Sequence, residues 1–234
     1  MNEMANDRPS AVIVISANAE WCVVREFYAA CPVEAEPYGE CFETRLAGRK
    51  VVFFQGGWGK IAAASSAQYA IQRWQPDLIV NLGTCGGFAG CVDRGTVLLA
   101  TETLVYDIVE QMGDAQEAID HYSTSIDLSW LQPPYPMEVL PARLVSADRD
   151  ILPGDVKMLR EQFYAVAADW ESGAIAWVCK RNHVHCLILR GVSDLVAESG
   201  GEAYGSLEVF RNGTHRVMSQ LLAALPDWLT LGAG

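Results

Sequence analysis

The chain has 234 residues, half of them hydrophobic and a fifth charged, the composition of a soluble globular protein and not of a disordered or collagen-like chain. Its 17 basic and 29 acidic residues leave a net charge of −12, and no stretch concentrates Lys or Arg, which opposes a nucleic-acid backbone or an anionic membrane surface as partner. The seven cysteines are scattered, without a C-x-x-C pair, as expected of free thiols in a cytoplasmic protein with no structural metal and no cofactor.

Residues 1–10 are polar and read as a disordered tail, and residues 11–234 as a single domain. Ala11–Ile15 (AVIVI) is a β-branched run suited to a strand buried on both faces. After the turn 16–19, Trp21, Val24 and Tyr28 recur at helical spacing. RLAGRKVVFFQ reads as the second strand and Ile61–Trp74 as an Ala-rich helix stopped by Pro76. The third strand, DLIVNLG, ends in the cluster Gly83-Thr84-Cys85-Gly86-Gly87, and TVLLATETLVYD is the fourth. Residues 110–143 form a long irregular connection with room for a short helix. A strand at 142–148, a helix at Val156–Phe163 and a helix at Ser172–Arg181 follow. The last core strand is CLILRGVSD, and Val209–Leu225 closes the chain as an amphipathic helix. Alternating strands and helices predict an α/β fold, its sheet mostly parallel and covered on both faces. In such sheets ligands bind beyond the carboxyl ends of the strands.

Four positions there carry chemistry: Glu20, the glycine cluster, Trp170-Glu171, and Ser193-Asp194. Taken one at a time each has a plainer explanation. An acid after a strand is most often a helix cap, and a G-T-C-G-G run is most often a tight turn. Cys85 lacks an assignable base and reads as buried filler. No G-x-S-x-G elbow, P-loop or metal-ligand spacing is present, and the four histidines form no constellation.

Three segments together resemble the nucleoside phosphorylase and nucleosidase superfamily, specifically its 5′-methylthioadenosine/S-adenosylhomocysteine nucleosidase branch. GWGKIAAA is similar to the family's G-x-G-K-x-x-A-A. PDLIVNLGTCGGF resembles P-D-x-x-x-N-x-G-[ST]-x-G-G. ADWESGAIAWVC with LILRGVSD resembles the E-M-E-[AS]-x-A helix and the V-R-x-[IV]-S-D strand. The resemblance implies a three-layer fold in which helices flank a mixed, partly barrel-like sheet. It also implies cleavage of a purine nucleoside's N-glycosidic bond by a homodimer.

Carried over by position, Asp194 is the general acid at purine N7 and Ser193 steadies it. Glu171 holds the ribose hydroxyls, Thr84 lies near the ribose, and Glu20 activates water. Trp170, Phe88, Ile151 and Trp58 line the substrate pocket. Leu104–Asp107 and the loop after it are where a second subunit would meet the pocket. The turn Ala17-Asn18-Ala19-Glu20 and Asn81 stand where phosphorylases carry cationic phosphate ligands, which favours water as nucleophile. Arg25 and Arg45 keep a phosphorylase open as the alternative. A non-catalytic nucleoside-binding domain is a third reading, motivated by two departures. Trp170 replaces the family's Met, and residues 146–150 (SADRD) contain no aromatic to stack on the base.

Overall fold

The computed structural model describes residues 8–231. Of the expected tail, residues 1–7 lie outside the described residues, while Ser10 donates its backbone N–H to the Lys50 carbonyl at 2.9 Å. The elements in chain order are β1 (Ala11–Ile15), α1 (Asn18–Phe27), β2 (Glu34–Glu36), β3 (Gly39–Leu46), β4 (Arg49–Gln55), α2 (Lys60–Trp74), β5 (Leu78–Phe88) and β6 (Val97–Val105). They continue with α3 (Ala115–His121), β7 (Ser123–Ser125), β8 (Leu140–Ser146), α4 (Val156–Phe163), β9 (Ala167–Asp169), α5 (Ser172–Asn182), β10 (His185–Ala197), β11 (Gly200–Gly201) and α6 (Leu207–Leu231).

The sheet is mixed. β1 runs parallel to β4 and β5, β5 parallel to β10, and β8 parallel to β6 and β9, while the other pairings are antiparallel. This corrects the mostly parallel expectation. β5, β10, β6, β8 and β9 pair in succession and β9 returns to β5, so five strands close a barrel. β5 is long enough to serve two structures. Its first half pairs with β1 in an open wing, and Gly86 and Gly87 near its end pair with β9 to complete the ring. Closure of this kind removes edges that would otherwise template aggregation.

Alternation along β1 sorts its side chains into two layers. Val12 and Val14 pack with Ala63, Ala67 and Ala70 of α2 and with Ile175 of α5; Ala11, Ile13 and Ile15 pack with Trp21 and Val24 of α1 and with Leu221 and Leu225 of α6. The alanines let α2 approach the sheet closely. At the barrel's end, Phe88, Val145, Ile151, Val156 and Leu159 form a third apolar cluster.

RLAGRKVVFFQ is two strands and not one. Ala47 (φ 48°) and Gly48 (φ 78°) make a two-residue turn with both residues left-handed, the geometry that matches strand twist in a tight hairpin. The glycine cluster is not a turn either: residues 83–87 continue β5, paired with β10 across a one-residue register shift. The irregular connection contains α3 and β7, and α6 runs past Leu225 to Leu231 with Pro226 inside it.

Candidate active site

The carboxyl-terminal reaches of β5 and β10, the start of α1 and the β9–α5 passage surround a cavity of about 810 Å³. Glu20, Trp58, Thr84, Ile151, Trp170, Glu171, Ser193 and Asp194 all line it, although they come from six separated stretches of chain. Phe88 does not. Its ring is fully buried in the apolar cluster at the barrel's end, with Val145 and Val156.

Glu20 does two things. It occupies the third position of α1, where Oε2 accepts the Ala17 backbone N–H at 3.2 Å and so caps the helix. Its other oxygen accepts from the Thr84 backbone N–H at 2.6 Å and from the Thr84 hydroxyl at 2.9 Å. The cap therefore holds a buried carboxylate against β5 at the cavity.

Glu171 terminates the β9–α5 passage. Its Oε1 accepts the Gly59 N–H at 3.1 Å, and its Oε2 lies 3.6 Å from Arg190 Nη2. Burial pushes its pKa up to about 8 despite the opposing Arg190 charge, and Asp169 and Glu20 add to the rise. Gly59 and Gly57 take φ values of 83° and 76°, which place Trp58 between two left-handed residues and tilt its indole against Trp170 at 5.6 Å between centroids. Lys60, next in sequence, is paired with Asp107 and donates its backbone N–H to Asp148 at 2.6 Å, pinning the loop to the rim.

Asp194 sits at an irregularity. β10 shifts register against β5 between Val192 and Asp194, so Ser193 is an extra residue. In a regular strand neighbouring side chains face opposite ways, and the bulge lets both Ser193 and Asp194 face the cavity. The Ser193 hydroxyl donates to Asp194 Oδ1 at 2.6 Å. Burial raises the Asp194 pKa, the serine bond opposes this, and Glu202 and Asp150 add to the rise.

Arg190 and Asp169 stand inside the motifs but are given no role by them, yet they tie the site together. Arg190 is fully buried. Its Nε lies 2.8 Å from Asp169 Oδ2 and donates to the Ser172 hydroxyl at 2.9 Å; its Nη2 donates to Asn81 Oδ1 at 2.7 Å. Glu171 and Glu20 stand 3.6 and 3.8 Å from its other nitrogens, and Nη1 has no hydrogen-bond partner among the described residues. Burial opposes the guanidinium charge, but the three carboxylates outweigh it and raise its pKa. Asp169 also accepts from the hydroxyls of Ser146 and Ser172. The signal was present in LILRG: a lone cation inside an apolar strand must find a buried partner. Gly83 makes room for it, since a Cβ there would stand 1.7 Å from Nη1.

The cationic phosphate ligands considered for a phosphorylase lie elsewhere. Arg25 donates to the Tyr28 and Cys31 carbonyls, and Arg45 to the Gly48 carbonyl. Asn81 instead brackets Arg190, its amide donating to the Val14 carbonyl at 2.9 Å. Burial drives the Cys85 thiol far above its ordinary pKa, which removes it as a nucleophile. Leu104, Val105 and Tyr106 are buried, so of the stretch expected to meet a partner only the loop beyond it presents apolar side chains, at Val109 and Met112.

The profile of the Phosphorylase superfamily matches residues 11–225. The chain belongs to that superfamily. Curated relatives include a 5′-methylthioadenosine/S-adenosylhomocysteine nucleosidase of Anoxybacillus flavithermus, 30% identical over 179 residues that cover 70% of this chain and 75% of the relative. The enzyme of that name from Bacillus thuringiensis is 26% identical over 186 residues, covering 73% and 80%. Among solved structures, the nucleosidase of Colwellia psychrerythraea in complex with adenine superposes with a TM-score of 0.74 over 96% of both chains, at 19% identity. The barrel and flanking helices are thus the phosphorylase-superfamily fold.

Proposed function

We propose that this superfamily member hydrolyses the N-glycosidic bond of a purine nucleoside of the methylthioadenosine or adenosylhomocysteine type. One observation carries the reading: Glu20, Glu171 and Asp194 converge on one cavity, with burial favouring the protonated form of Asp194 and two carboxylates gathered around Arg190 at the other end. A purine is a poor anionic leaving group, so an acid must supply a proton as the C–N bond lengthens, while the sugar acquires oxocarbenium character. Asp194 supplies that proton to N7, positioned by Ser193. Glu171 accepts from the ribose hydroxyls, and the indoles of Trp58 and Trp170 wall the sugar. Glu20 takes a proton from the attacking water beside Thr84, and its carboxylate offsets positive charge developing on the sugar.

Water is preferred to phosphate as nucleophile because the cavity floor is lined by carboxylates, and Arg25 and Arg45 are committed to backbone carbonyls away from it. The protein acts as a cytoplasmic homodimer in this reading. All seven cysteines are free, no helix among the described residues is long and apolar enough to cross a membrane, and exposed Trp58, Ile61, Val109 and Met112 flank the Lys60–Asp107 clamp.

The test is incubation with methylthioadenosine, S-adenosylhomocysteine, adenosine and inosine in phosphate-free buffer. Release of free base from at least one is expected. Release only after phosphate is added, with a sugar 1-phosphate as product, makes the protein a phosphorylase; binding without turnover makes it a sensor.

A further inference from the structure

The base end of the cavity raises a question that the proposed function leaves open. Residues 146–150 contain no aromatic side chain to cover the flat face of a purine, and an uncovered heterocycle would forgo most of its binding energy. Among the described residues, the cation lining the cavity is Arg149, in the loop after β8 and two residues before Ile151, which also lines it.

The guanidinium of Arg149 is held as a plane. Its Cζ stands 5.4 Å from the centroid of the Tyr106 ring, and its Nη2 bonds Asp155 Oδ2 at 2.7 Å. Tyr106 is buried and does not line the cavity, whereas Arg149 does. The guanidinium is thus held by a ring and a carboxylate. The other aromatic groups at the cavity are engaged differently. Trp58 and Trp170 pair with each other beside the Gly59–Glu171 bond, at the sugar end. The Tyr204 hydroxyl donates to the Ile151 carbonyl at 2.5 Å while its ring covers Gly201. Phe210 enters from the first turn of α6.

We propose that the Arg149 guanidinium, backed by Tyr106 and anchored by Asp155, is the stacking surface for the substrate's purine base. This rests on the nucleosidase reading for the identity of the ligand. A guanidinium is planar, delocalised and weakly hydrated, and it stacks on π-systems as an aromatic ring does; an ammonium cannot. The pairing with Tyr106 and Asp155 removes rotamer freedom before the base arrives, so little ordering remains to be done on binding.

The experiment uses the full chain and two readouts: equilibrium binding of adenine and of hypoxanthine by calorimetry, and kcat and KM for methylthioadenosine. The variants are Arg149→Ala, Arg149→Lys and Arg149→Phe, with Asp155→Asn as a probe that loosens the guanidinium without removing it. Arg149→Ala and Arg149→Lys are expected to weaken binding of the preferred base and raise KM by roughly tenfold, the usual scale of one lost stacking partner. Arg149→Phe restores most of the loss, and Asp155→Asn gives a smaller defect of the same kind.

Wild-type affinity in Arg149→Ala overturns the proposal and points to Phe210 instead. Wild-type affinity in Arg149→Lys overturns it by making the role a point charge, as for an anion. A Phe variant as weak as the Ala variant overturns it too. The two hypotheses separate cleanly: a wild-type protein that binds a free purine yet cleaves no nucleoside defeats the catalytic reading while the stacking series still decides this one, and one that binds neither base defeats the stacking surface.

Discussion

At the sugar end of the cavity Arg190 is gripped by Asp169, Ser172 and Asn81, with Glu171 and Glu20 close by, all buried in the barrel. At the base end Asp194 has one hydroxyl partner, Arg149 is 42% exposed, and Tyr204 reaches Ile151 from a loop. The first is a cluster of charges that hold one another in place; the second is a set of groups free to meet a ligand. In the proposed reaction, the difference follows from what each end must do. Stabilising charge on a sugar requires dipoles fixed beforehand, since reorganisation during the reaction would consume their effect. Delivering a proton requires a group whose charge can change, and a carboxylate tied into several bonds to its ionised form would not give up that form readily.

The sharpest break in this contrast is Asp194→Asn. It removes the proton donor but keeps the shape and the Ser193 contact, so base release should fall about 10²–10⁴-fold while the melting temperature barely moves. Because burial raises the Asp194 pKa, the protonated form persists to higher pH than an ordinary aspartate allows. Activity should then decline as pH rises through that pKa, and the pH–rate profile of the variant should lack this limb. Full activity in Asp194→Asn would remove the general-acid role.

At the opposite end, Arg190→Met leaves Glu20, Asp169 and Glu171 buried without their cation. Breaking a buried pair in this way costs about 3–5 kcal/mol, to be read from urea denaturation, and loss of activity should accompany loss of fold. A variant as stable as the wild type would show that the cluster does not organise the barrel.

Glu171→Gln separates charge from shape. The folded protein holds a proton on Glu171 up to about 8, whereas the ordinary value is 4.5. Between those values the folded state binds more protons than the unfolded chain, so stability falls as pH rises. The contribution is fully present below the lower value and lost as pH passes the upper one. The glutamine variant should show a flatter dependence, measured by denaturation on either side of the window, together with a raised KM from a poorer ribose contact. An unchanged slope would place the titration on another group.

Smallest of all should be Phe88→Leu. Phe88 is fully buried but off the cavity, so the change should lower stability by about 1 kcal/mol and leave kcat and KM as they were. A specific loss of kcat would return Phe88 to the substrate pocket.

How much of this was legible in the chain varies residue by residue. Glu20, Thr84, Glu171 and Asp194 were findable because strand ends and motif spacing both pointed to them. Arg190 was visible as an oddity in an apolar strand, but its partners were not, since Asp169, Ser172 and Asn81 lie up to 109 residues away. The hairpin at Ala47-Gly48 was hidden because alanine carries no turn signal, and a left-handed alanine is dictated by the strands on either side. The glycines of β5 mimicked a turn because small residues serve both purposes: Gly83 is small to admit Arg190, and Gly86 and Gly87 continue the strand into the ring.

Periodicity and composition were enough to establish an alternating α/β chain, its two helical layers, and the strands whose ends line the cavity, because those depend on burial patterns written within a few residues. The closing of five strands into a barrel, the extra Ser193 that turns Asp194 inward, and the guanidinium shared by three carboxylates were settled only when distant segments met. Local pattern tells a side chain which way to face; only the assembled sheet decides what it finds there.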